Sequence, residues 1–263
     1  MLPETLLDQS PVWLLYVGTV LLLFAGNEAG FRLGTLRRAR MPEAEKAPAS
    51  AIMGSTLGLL AFMLAFTFGM SGARFDARKQ LVLDEASAVL RAHQRAQFLP
   101  EPQRSECSRL LREYVELRTR VATVRSLAEV EELVTRSEAI QDALWKEAAT
   151  LADRPSAILS IFVQSLSELT DLQIKRVRSA VWNRIPPTIV LTLYGIAFLA
   201  LTAMGYGAGM AESRTVVPSV MLILTFSAII VLIVDLERPL QQLFEVSQQP
   251  MADVARRIQS FHP

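Results

Sequence analysis

The residues that could do chemistry in this chain point toward ions and away from bond-making. Histidine occurs twice, at His93 and His262, and cysteine once, at Cys107. A His-rich metal site within one chain is therefore excluded, and a lone cysteine cannot build an intrachain disulfide framework; it fits a reducing compartment. His93 is expected as a solvated helix residue and His262 as part of a tail. No Ser/His/Asp set, Gly-rich phosphate loop or intramembrane carboxylate pair is present, so no catalytic residue, metal site or cofactor is expected and the chain does not read as an enzyme. What remains is a set of charges at the ends of apolar stretches. Arg74 and Arg78 stand one helical turn apart just past one stretch, Asp235 and Glu237 close another, and Arg184 precedes a third. Such a collar fixes helix ends by ion pairing or forms a vestibule that attracts and filters ions, and the two roles are compatible. Glu28, just past the first stretch, is expected at the interface, snorkelling or meeting the basic loop that follows it.

A second feature lies along Leu57 to Lys79. Gly54, Gly58, Phe62, Phe66 and Met70 recur every fourth residue and make one stripe of a helix. Leu57, Ala61, Ala65, Gly69 and Ala73 make another, rotated by about 100°. Small residues at this spacing let helices approach closely in lipid, so Ala61, Ala65, Gly69 and Ala73 are expected as a packing face. The Phe62/Phe66 stripe then faces lipid, a bundle core or a central axis. In the last case, rings of apolar side chains can gate a pore by dewetting.

The elements that must position these residues are membrane helices. The chain is 51% hydrophobic, and four long stretches lack Asp, Glu, Lys and Arg: Gln9 to Asn27, Ala47 to Ala73, Ile185 to Ala211 and Thr215 to Val234. Each reaches roughly the 20 residues that cross a hydrocarbon core. The first has neither a basic leader nor a small-residue cleavage site, and is expected to remain as a span. The spans divide the chain into helices 1 and 2 (residues 1–73), a helical soluble domain (74–184), helices 3 and 4 (185–235) and a C-terminal tail (236–263). Net charge is only +1, which gives no reason to expect nucleic acid as a partner. With four spans, the soluble domain shares a face with both termini. Basic residues near the membrane number ten on that face and six on the other, which favours a cytoplasmic domain. The short, dense basic loop between the first two spans pulls the other way.

Outside the membrane the pattern is helical throughout. Ala51 to Phe98, if unbroken, is one rod of roughly 70 Å. Leu110, Tyr114, Leu117, Val121 and Val124 alternate spacings of four and three and mark a buried seam. Ser126 followed by Glu129 has the capping-box spacing and opens a further helix. The next shows Leu159, Val163, Leu166, Ile174, Val177 and Val181 as its apolar set, and Pro186-Pro187 opens the third span.

LLAFMLAFTFGMSGARFDARKQ resembles the bestrophin signature, in which a small-Phe pair, here Ala65-Phe66, precedes an Arg, aromatic and acidic exit ending in Ala-Arg-Lys. VDLERP at Val234 to Pro239 resembles the acidic-acidic-Pro motif after the last bestrophin span. RIPPT from Arg184 and EVSQQPM from Glu245 bring the chain nearest to the bacterial bestrophin-like membrane proteins. The resemblance implies a pentameric ion channel whose second span lines a hydrophobic neck and whose helical cytosolic domain extends the pore. By position it makes Phe66 the neck residue of the small-Phe pair, with Phe62 and Gly58 one and two turns before it. Two departures stand out. The polar residues that follow the Phe are here Thr67, Phe68, Gly69 and Met70, which alters the neck's exit. The acidic calcium clasp is missing after Pro239, where Gln241, Gln242 and Gln248 supply no carboxylate, so calcium gating is not expected.

Together these readings predict an all-α, four-span protein of the bacterial inner membrane, with its soluble domain cytoplasmic. It would form a homopentameric ring in the lipid bilayer and pass small inorganic ions. The pore neck would be Gly58, Phe62, Phe66 and Met70, and the collar Arg74, Arg78, Arg184, Asp235 and Glu237. The alternative from another class is a membrane-anchored helical scaffold or sensor without conduction.

Overall fold

A computed structural model describes residues 10–38, 47–121, 124, 126–153, 156–181, 186–211, 216–238 and 246–260. Every regular element among them is a helix: α1 (Val12–Arg38), α2 (Ala47–Ala96), α3 (Gln103–Arg120), α4 (Leu127–Ala149), α5 (Ala157–Val181), α6 (Pro187–Met210), α7 (Val216–Leu236) and α8 (Gln249–Ser260). Helices α1, α2, α6 and α7 are each long and apolar enough to span a bilayer. The chain divides into a membrane unit, Pro3–Arg74 with Ile185–Phe244, and a helical unit, Phe75–Arg184 with Glu245–Pro263. The 50-residue α2 contributes to both, because no Pro interrupts it where the apolar run gives way to charge. His262 lies outside the described residues.

In the membrane unit, α1 and α6 meet backbone to backbone. A methyl group added to Gly30 would sit 2.0 Å from the carbonyl oxygen of Thr202, and one added to Gly205 would sit 1.9 Å from that of Asn27. Gly34 and Gly209 continue the contact one turn further on each helix, against Tyr206 and Phe31. The seam is thus a small-xxx-small pair of ladders, which suits a medium where apolar side chains gain nothing by leaving lipid. Around it Leu23, Leu60, Leu64, Leu193, Ala197, Leu201, Ile223 and Ile230 form the core. Tyr194 donates to Thr19 Oγ1 (2.9 Å), which itself donates to the Leu15 carbonyl (2.8 Å), so this polar pair is satisfied inside the bundle.

The helical unit buries Ala86 and Val89 of α2, Leu110, Leu111 and Tyr114 of α3, Leu144 of α4, and Phe162, Leu166 and Leu169 of α5. Ser126 caps α4 as its spacing predicts, accepting from the Glu129 N–H at 3.3 Å. Two expectations change. His93 is buried, with Gln97 Nε2 donating to its carbonyl (3.3 Å) and to Ser108 Oγ (2.9 Å). Burial, aided by the Arg112 charge, holds its imidazole below the usual histidine range. Ile174 is 52% exposed, and the inward face of α5 runs Phe162, Leu166, Leu169, Gln173, Arg176 instead. Helix α8, which composition assigns to a tail, contributes Met251, Val254 and Ile258 to this same core.

The polar residues of that inward face belong to one buried network. Glu85 of α2 is fully enclosed and is held by two guanidiniums: Arg118 of α3, whose Nε lies 2.9 Å from Oε1, and Arg176 of α5 on Oε2. Tyr114 donates to Glu85 Oε1 at 2.5 Å. Gln173 lies 3.1 Å from the Tyr114 hydroxyl, accepts from Gln141 Nε2 (2.5 Å) and donates to Ser137 Oγ (3.2 Å), which brings in α4. Arg176 also donates to Gln248, immediately before α8. One carboxylate therefore ties α2, α3 and α5 directly, and α4 and the α8 segment through its partners. Burial would raise its pKa, but the charges of Arg118 and Arg176 and the hydrogen bonds from Tyr114 and Arg176 outweigh that, leaving it at about 2.

Two outcomes follow. Gly205→Ala lowers the thermal midpoint of the detergent-solubilised protein by overpacking, at a cost of ~1–3 kcal/mol, whereas Gly195→Ala, with nothing within 4 Å of the added methyl, is neutral. Glu85→Gln strands two buried guanidiniums and costs ~3–5 kcal/mol. Because the folded carboxyl titrates near 2 against an ordinary 4.5, its stabilisation is complete above about pH 4.5 and is lost as pH falls toward 2. Acid titration followed by circular dichroism should show a step in the wild type that is flattened in Glu85→Gln.

Candidate functional site

The membrane half of α2 is covered on one side only. Leu60, Leu64, Thr67 and Ser71, spaced four, three and four, are its buried side. Thr67 donates to the Met63 carbonyl of its own helix at 2.7 Å, so the residue after Phe66 turns inward and its hydroxyl is spent on backbone. The opposite side is open. Phe62 is 65% exposed and Phe66 59%, with their rings stacked at 6.5 Å between centroids and 17° between planes. Gly58 is exposed on the same stripe, and Met70 is half-buried.

The small-residue ladder is open as well. Ala61, Ala65, Gly69 and Ala73 are all exposed, and a methyl added to Gly69 would meet nothing within 4 Å. Within this chain, then, the ladder is not a packing face. The close approach expected there occurs between α1 and α6, on the Gly30/Gly34 and Gly205/Gly209 spacings, which carry the same sequence signal.

At the end of the membrane unit the structure brings together part of the collar. Arg74 Nη1 lies 3.6 Å from Glu237 Oε2. Asp235 is buried at the end of α7. Arg238 is fully buried, and its Nη1 donates to the Ser10 carbonyl at 2.9 Å, tying the end of α7 to the start of α1. Arg238 was not among the collar residues expected from sequence; its place directly after Asp235 and Glu237 is the only local sign of its role. Arg78 is half-buried and belongs to the helical unit, and Arg184 lies outside the described residues. At the other end, Glu28 meets the basic side as expected, pairing with Arg32 at 3.0 Å.

Among the described residues no three His, Cys, Asp or Glu side chains converge as a metal site. Cys107 is buried, and burial, with the nearby Glu147 and Glu106 charges, pushes its thiol up to about 12, so it offers no nucleophile. The site's resources are apolar surface, stacked rings and a rim of ion pairs.

The same architecture occurs in solved structures. Variants of a bacterial bestrophin homolog from Klebsiella pneumoniae align with TM-scores of 0.67, at 16% identity over 92% of this chain and 97% of theirs, and at 15% identity over 95% and 100%. A structure described as a membrane protein aligns at TM-score 0.67 and 17% identity, over 97% of this chain and all of its own. Among curated proteins, none matches the chain by sequence. The family model of the Bestrophin-like domain matches residues 20–251, nearly the whole of both units, and the chain belongs to the bestrophin-like family.

Proposed function

We propose that this protein is an ion channel formed by a ring of identical subunits, a pentamer, with the open side of α2 turned toward the shared axis. The observation that carries this reading is the double exposure of α2. Large aromatic rings on one stripe and small residues on the next are both uncovered in the single chain. Neighbouring subunits that pack on Ala61, Ala65, Gly69 and Ala73 would bury the ladder and leave the Phe62/Phe66 stripe facing inward. There, rings of phenylalanine make an apolar constriction that dewets when narrow and conducts when it widens. Gly58 and Met70 bound that constriction along the helix. Below it, Arg74 and Glu237 set charge at the rim, with Arg78, Arg184 and Asp235 as the further members of the collar. The protein sits in the bacterial inner membrane with its helical unit in the cytoplasm, passing small inorganic ions with no cofactor.

Reconstituted into liposomes, the wild type should conduct, and Phe62→Ala/Phe66→Ala should raise ion flux by widening and wetting the neck. Absence of flux from both proteins sinks the channel reading and leaves a non-conducting scaffold or sensor.

Assembly is tested separately. Ala65→Phe should lower the subunit number measured by native mass spectrometry, since it fills the ladder without touching the phenylalanine stripe. Because Cys107 is buried and its thiol is raised, Phe66→Cys gives a reporter with little background. A charged, membrane-impermeant thiol reagent should modify it and change conductance, whereas a lipid-facing residue would stay unmodified.

A further inference from the structure

Helix α1 carries an apolar face past the point where its sequence turns charged. Its 27 residues measure roughly 40 Å, longer than a hydrocarbon core of about 30 Å, so it reaches into the headgroups. Trp13, exposed near the helix start, is the kind of ring that settles at one interface. Counted from there, the core ends about twenty residues on, at Leu33. Leu33 is nevertheless 57% exposed, and Leu36, about one turn further, 70%. Leu22, Ala25 and Ala29 are exposed on the same side, so one apolar stripe runs from mid-span to the last turn of α1.

The charges beside this stripe have a definite order. At about 100° per residue, Arg32 falls on one flank of it and Arg37 on the other, and both are exposed. Arg32 pairs with Glu28 at 3.0 Å, so those two charges offset each other at the edge of the core. Arg37 and Arg38 stand in the last turn, beyond both leucines. From mid-span outward the face therefore reads apolar stripe, neutralised pair, leucines, net positive charge. An anionic phospholipid has the matching order: acyl chains, glycerol, then phosphate.

We propose that the end of α1 holds an anionic phospholipid of the phosphatidylglycerol type. An acyl chain lies along Ala29, Leu33 and Leu36, and the phosphodiester meets Arg37. The lipid gives the two leucines an apolar cover at a depth where they would otherwise meet water, and the Arg37 stem reaches outward to the phosphate. A zwitterionic lipid offers the same chains and phosphate but brings an ammonium toward Arg37 and Arg38. Discrimination should therefore follow net charge and weaken with salt. The surface lies on α1, apart from the open side of α2, and holds a lipid whether or not the protein conducts.

The test is fluorescence quenching in liposomes, with an environment-sensitive label on the full-length Leu36→Cys protein. All liposomes contain equal amounts of phosphatidylglycerol and phosphatidylcholine with identical chains. Only the lipid that carries bromines, placed near the glycerol end of its chains, is varied. Brominated phosphatidylglycerol should quench the label about fivefold more, the equivalent of the ~1 kcal/mol that one cation gains near an anionic lipid surface. Arg37→Gln should bring the ratio close to one, as should 1 M salt (roughly a 3 Å screening length). Arg257→Gln, an exposed arginine of α8 in the helical unit, should leave it unchanged. Equal quenching by the two lipids overturns the proposal, as does a preference that survives Arg37→Gln. Quenching by neither lipid assigns the face to a neighbouring copy of the chain and overturns it too.

Discussion

The membrane half of this protein depends on how closely two backbones can approach. Lipid tails are as apolar as leucine, so helices there do not associate to escape solvent; they associate where packing is dense enough to beat packing against lipid. The Gly30/Gly34 and Gly205/Gly209 ladders let α1 and α6 touch carbonyl to Cα, leaving no room for even one methyl group at their centre. α2 buries its Leu60/Leu64/Thr67/Ser71 side, with Leu57 and Met63 partly buried beside it, and its Phe62/Phe66 and Ala61–Ala73 stripes stay open.

The helical unit solves a different problem by different means. Apart from α2, none of its described helices is long and apolar enough to span a bilayer, and an apolar core alone would let them slide along one another without a fixed register. The Glu85 network removes that freedom. A carboxylate enclosed among helices needs its partners at fixed positions, and Tyr114 and Arg118 of α3 and Arg176 of α5 meet it from two helices. Buried ions of this kind add little net stability over a well-packed apolar core, yet losing one partner is costly. Specifying helix register, and holding the α8 segment through Gln248, is the use of the network that this geometry supports.

Much of the fold is legible in the chain, because length and hydropathy mark spans and short-range signals mark helix ends. The Ser126 cap, Pro187 at the first turn of α6 and the unbroken α2 all act locally and are read correctly from neighbours in sequence. The inward face of α5 is not. Of its apolar set Leu159, Val163, Leu166, Ile174, Val177 and Val181, Leu166 is buried and Leu159 and Val163 pack on the core, but Ile174 turns out and Gln173 and Arg176 turn inward. Periodicity assumes that polar means exposed, and here polar residues are buried because a carboxylate 91 positions away neutralises one of them. His93 misleads for the same reason.

The candidate site divides along the same line. The sequence alone determined that Phe62 and Phe66 share one stripe of an apolar helix, that Ala61 to Ala73 share the next, and that charges ring the exits, since helical geometry sets those relations whatever lies around them. Only the tertiary structure decided that both stripes stay uncovered within the chain while Leu60, Leu64, Thr67 and Ser71 are buried, that Arg74 meets Glu237, and that Arg238 is enclosed at the start of α1. In a membrane helix every face is apolar, so composition cannot separate a residue that touches lipid from one that touches a neighbour. That distinction arises from which backbones come close first, and it exists only once the helices are packed.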